Sequence, residues 1–153
     1  MSQFEKQRAA LMRLRDTELT VADPAEDVRG RKVIDEEGEE VGEVEDLLVD
    51  DRDTKVRFLE VASGGFLGLG ETKFLLPVET ISWVSEDTVY VNQTRQRIAK
   101  APRFDPDLMH KEAVRELPGS GGYYGDVYRY YGYRPYWGPG YVYPPYPYYR
   151  TLV

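Results

Sequence analysis

Four glycines crowd into residues 64–70 of the stretch SGGFLGLGETK (63–73). A phosphate-cradling loop needs G-x-x-x-x-G followed by Lys and then Ser or Thr, so that backbone amides and an ammonium meet the anion. Gly65 and Gly70 have that spacing, but Glu71 stands where the lysine belongs and would repel a phosphate. The dinucleotide pattern G-x-G-x-x-G fails as well, because Gly68-x-Gly70 is followed by Lys73. The glycines lead into KFLLPV, a strand-like run, and not into a helix whose N-terminal amides could hold an anion. The expected role is a long hairpin connection in which Phe66, Leu67 and Leu69 fold back over the end of the sheet.

Other chemistry is sparse. Residues 27–60 hold thirteen Asp or Glu against six Lys or Arg. A calcium loop would need D-x-[DN]-x-[DN]-G and a glutamate at its twelfth position, and Asp51-x-Asp53 is followed by Thr54, Lys55 and Val56. A solvated strand face that resists aggregation is the simpler reading, with weak divalent-cation binding as the alternative. His110 is the single histidine, and the chain has no cysteine. A general base without a neighbouring nucleophile motif supports no catalytic site. No enzyme activity, cofactor or metal is expected.

The C-terminal residues carry the most distinctive chemistry. Twelve of thirteen tyrosines and five of ten prolines fall between 123 and 149. Tyrosine offers a large apolar ring with few rotors and a polar tip, which suits packing on a protein surface. The candidate interaction residues are Phe66, Leu67 and Leu69 of the glycine loop with Tyr130, Tyr131, Tyr133, Tyr136, Trp137, Tyr141 and Tyr143 of the tail. Three uses stay open. The tail wraps a barrel of its own or a neighbouring chain, offers its proline-rich run 141–149 to a protein partner, or stacks on single-stranded nucleic acid with Arg129, Arg134 and Arg150. A membrane-surface role for Trp137 and the tyrosines is a further option. The net charge of −7 opposes nucleic acid, whose phosphates call for a basic surface.

The elements that must position these residues follow from three compositional zones. Residues 1–26 read as a helical leader, with Phe4, Leu11 and Leu14 roughly on one side, ended by Asp23-Pro24. Residues 27–92 alternate as short strands at 31–34, 41–50, 55–62, 72–78, 81–84 and 88–91, separated by turn residues. Val44 and Leu47 lie out of phase, as do Phe58 and Leu59. Slips facing each other across a hairpin predict a bulge that curls the sheet. No long helix interrupts the strands, so the sheet is expected to be antiparallel and closed or nearly so. Residues 93–118 form a linker and a short helix capped at Asp105-Pro106. Residues 119–153 hold too few aliphatics and too many breakers for an ordinary folded segment. Roughly 18 consecutive apolar residues would mark a membrane-spanning helix. None occur, and the start lacks the apolar core of a signal peptide, so a cytoplasmic location is expected.

The runs DVRGRKVIDEEGEEVGEVEDLLVDD and KVRFLEVASGGFLGLGETKFLLPVETI resemble the PRC-barrel domain. The telling parts are Gly30 to Val33, GEVEDLLVD, and Phe74 to Ile81. That family includes the cytoplasmic domain of the photosynthetic reaction centre H subunit, the C-terminal domain of a ribosome maturation factor, and stand-alone bacterial and archaeal proteins. The resemblance covers about residues 27–92. It implies a mainly β fold: a small antiparallel β-barrel of about six strands, with flanking helices and the aromatic, Pro/Gly-rich tail. It also implies a non-catalytic interaction or scaffold module in a bacterial cytoplasm. Homo-oligomers would form through barrel edges and tail, and RNA or ribosome-assembly binding is the alternative.

Overall fold

The computed structural model describes residues 11–50, 52–64, 70–108 and 122–145. Seven strands form one sheet: β1 (Leu11–Arg13), β2 (Lys32–Ile34), β3 (Glu40–Asp50), β4 (Lys55–Ser63), β5 (Thr72–Pro77), β6 (Ile81–Val84) and β7 (Thr88–Val91). The order is β5-β4-β3-β2-β7-β6, with β1 also paired to β3. The two outermost strands, β5 and β6, are consecutive in the chain and joined only by the 3-10 turn Val78–Thr80. A ribbon whose opposite edges are tied by three residues has to curl, which gives a half-closed barrel.

The curl has a local cause. The β3–β4 register shifts between Val44 and Asp46 and again between Leu48 and Val49, where the hydrophobic phase slips. Gly42 permits the close approach of the two strands at the other end. A Cβ there would lie 2.4 Å from the Ala62 carbonyl oxygen. Gly42→Ala is therefore expected to destabilise the protein by about 1–3 kcal/mol through backbone displacement. Urea unfolding of the variant checks this, and an unchanged midpoint would show that β3 and β4 separate freely.

Turn chemistry follows the residues. Gly38 has φ +86°, as the turn after β2 requires. Asp35 beside it is buried; one carboxylate oxygen accepts from the amides of Glu37 and Glu39, and the other accepts from the Arg95 amide at 2.7 Å. One aspartate thus pins both a hairpin and the start of helix α1 (Arg95–Ala99), which Thr94 caps.

Two elements depart from the sequence-based expectation. The sheet is mixed, because β2 and β7 run parallel, Val33 opposite Val89. Leu11–Arg13 is a strand and Leu14–Asp16 a 3-10 turn, where a helix was expected. An edge on β3 offers this segment ladder hydrogen bonds, and acids on the β3–β4 face draw in its arginines. Arg13 makes a two-pronged pair with the fully buried Glu60, and Arg15 pairs with the fully buried Asp46 at 2.5 Å. Lys73 completes this cluster at 2.7 Å from Glu45. Beyond β7, Pro106–Leu108 forms a 3-10 turn with Asp105 at its head, and the rest of the helix expected there lies outside the described residues.

Candidate functional site

The tyrosine-rich segment folds on its own barrel. Helix α2 (Gly122–Tyr131) buries Tyr124, Val127, Tyr128 and Tyr131, a spacing of i, i+3, i+4 and i+7 that puts them on one face. Within 122–145, tyrosine rings thus take the place of the aliphatics that an ordinary folded segment would supply. The rings of Tyr124 and Tyr128 lie 5.7 and 5.0 Å from that of Phe58 on β4, inside the core. Gly132, at φ +80°, ends the helix. Its amide bonds Arg129 O and the Tyr133 amide bonds Tyr128 O, the paired closure that a glycine C-cap makes possible.

Residues 132–145 then run as a strap across β4 and the Val78–Thr80 turn. At its centre is Arg57, only 4% exposed. Its guanidinium pairs with the buried Asp50 and, at 3.0 Å, with Asp53. Tyr136 covers it at 4.3 Å, with Tyr143 at 5.7 Å and Tyr141 at 5.8 Å. A desolvated cation against three tyrosine faces and two carboxylates is a strong intramolecular latch. The Tyr143 hydroxyl donates to Val56 O at 3.0 Å, and the Tyr141 hydroxyl donates to Glu79. Between helices, Arg97 lies 4.8 Å from the Tyr130 ring, and the Tyr130 hydroxyl donates to Arg97 O.

Burial holds the Glu79 carboxyl above its ordinary value of 4.5, against the opposing hydrogen bond from Tyr141. A raised acid stabilises the fold fully below its unfolded pKa and loses that contribution as pH rises through the folded one. Glu79→Gln is therefore expected to be more stable than the parent at neutral pH. That advantage shrinks as pH falls from neutral through the raised folded value and has levelled off once pH is below the ordinary glutamate value of 4.5. Thermal melts across pH check this, and an advantage that grows on acidification would contradict it.

The sequence-based candidates are thus distributed as follows. Tyr130 and Tyr131 sit on α2. Tyr133, Tyr136, Trp137, Tyr141 and Tyr143 sit on the strap; all but Tyr141 pack at least partly against the chain's own core, and Tyr141 meets Glu79 and Arg57. Phe66, Leu67 and Leu69 lie outside the described residues, as does His110. Gly70 leads into β5, a strand. Among the described residues no group of three or more Asp, Glu, His or Cys is arranged to hold a metal ion. Among the same residues no helix is long and apolar enough to cross a membrane.

Sequence reasoning passed over Arg57 and Glu79, whose tyrosine partners lie some sixty or more positions away. It also passed over the exposed aromatic face of the β6–β7 hairpin. Trp83 on β6, 59% exposed, stands opposite Tyr90 on β7, 37% exposed. Ile34 on β2 pairs in register with Tyr90. An exposed tryptophan on the last strand of a sheet is the visible anomaly of this surface. A solvent-facing tryptophan within the short run ISWV is the signal that could have marked it.

No curated protein matches the chain. The family model for the PRC-barrel domain matches residues 22–98, which span β2 to β7 and most of α1. With the curled β-sheet, its bulged central hairpin and the matching half of the sequence in hand, the chain belongs to the PRC-barrel domain family.

Proposed function

We propose that this protein is a non-catalytic interaction module that self-associates through its barrel edge, with the aromatic tail as the element that completes the barrel. The observation that carries the reading is the exposed Trp83–Tyr90 pair on β6 and β7 at the end of the sheet. Most of the strap's aromatics are engaged with the chain's own core, so the tail acts by shaping the barrel and presenting its outer face. A sheet edge presents unpaired backbone groups to another chain, and an aromatic pair beside it supplies buried area on docking. The net charge of −7 disfavours RNA as the partner.

Light scattering on the full chain tests this. The full chain is expected to run as an oligomer and Trp83→Glu as a monomer of unchanged thermal stability, since Trp83 is mostly solvent-facing. A full chain that stays monomeric at high concentration, or an oligomer indifferent to the substitution, would sink the proposal.

A further inference from the structure

A cleft of about 340 Å³ opens between Glu79 and the strap, walled by Tyr133, Arg134, Tyr141 and Val142. None of its lining residues belongs to the β6–β7 edge. Its chemistry has both signs. Glu79 Oε2 accepts from the Tyr141 hydroxyl, while Oε1 has no hydrogen-bond partner among the described residues. Arg134 is exposed and gives one Nη1 hydrogen to Pro139 O at 3.2 Å, a bond that takes one of its five donors. Gly140, at φ +77°, lets the guanidinium lie against the backbone, because a Cβ there would stand 3.3 Å from Nη1. Tyr141 follows directly, so its backbone neighbours the cation and its hydroxyl reaches the anion. Gly132 contributes no side chain to the wall.

The geometry points to a binding site for a small zwitterion of amino-acid or dipeptide size, its ammonium toward Glu79 and its carboxylate on Arg134. A simple cation would meet Arg134 and a simple anion would meet Glu79; a ligand with both signs satisfies both. The volume is at the low end of small-molecule pockets, roughly 300–1,000 Å³, which suits a ligand of this size. Tyrosine walls suit the aliphatic stem of such a ligand and the face of its ammonium group.

The test uses glycylglycine as the probe and amide chemical shifts of the full chain as the readout. Saturable shifts are expected at the amides of Tyr133, Arg134, Tyr141 and Val142. N-acetylglycine and glycinamide each keep one charge and stand in for a protein C-terminus and N-terminus; they are expected to bind at least about tenfold more weakly. Glu79→Gln and Arg134→Ala should each weaken glycylglycine by roughly tenfold or more. Thermal melts confirm that both variants fold, as the exposure of Arg134 and the raised carboxyl of Glu79 lead one to expect. The assignment is overturned by the absence of saturable shifts, by equal binding of a singly charged analogue, or by parental affinity in both folded variants.

Discussion

A chain cut after Pro118 is expected to lose its cooperative thermal transition and to bind a dye for exposed apolar surface. The cut removes Tyr124, Val127, Tyr128 and Tyr131 from the core and uncovers Phe58 and Arg57. Deleting one buried aromatic costs about 3–5 kcal/mol, and a domain of this size holds only about 5–15 kcal/mol in all. A single substitution refines the expectation. Tyr128→Ala should cost about 3–5 kcal/mol in urea unfolding. Tyr128→Phe should be neutral or stabilising by roughly 1 kcal/mol, because the buried hydroxyl has no hydrogen-bond partner among the described residues. A truncated chain that melts like the full one would show that the aromatic segment is an accessory. It follows that a change of mass after truncation cannot be read as loss of an oligomer contact unless the melt is intact.

Arg57→Ala is expected to destabilise by about 3–5 kcal/mol, the usual consequence of leaving a buried charge without its partner. Asp50 is fully buried and, among the described residues, would retain only the amide of Asp53. The three tyrosine faces would also lose the cation they enclose. Arg57→Lys should recover only part of the loss, since an ammonium cannot reproduce the planar fork that meets Asp50 and Asp53 together. Substituting Met for Arg57 and Asn for Asp50 together should cost less than Arg57→Ala alone, because no charge is then stranded. A cost below about 1 kcal/mol for Arg57→Ala would assign the latch to Phe58 and its ring partners instead.

The strands from β2 to β7 were legible because alternation and turn residues act locally, and the bulges because a phase slip is a local fact. Leu11 and Leu14 fit a helix as well as a strand, and only the open ladder on β3 decides between them. The parallel pairing of β2 with β7 has no trace in either segment, since direction is set by the path of the intervening chain. Helix α2 was hidden by its composition. The positions 124, 127, 128 and 131 have helical spacing, and Gly132 stands where a C-cap belongs, but tyrosine is scored as polar and glycine as a breaker. The Arg57 cage was out of reach because its members are brought together only when the strap closes.

The parallel seam between β2 and β7 also bears on how the chain finds this structure. The meander β3–β4–β5 joins near neighbours in sequence and can nucleate early, whereas the seam unites β2 with β7, more than fifty residues apart, and has to wait for loop closure. Destabilising substitutions at Val33 or Val89 should then speed unfolding and leave the refolding rate nearly unchanged, so the barrel's lifetime, more than its speed of assembly, resides in that seam.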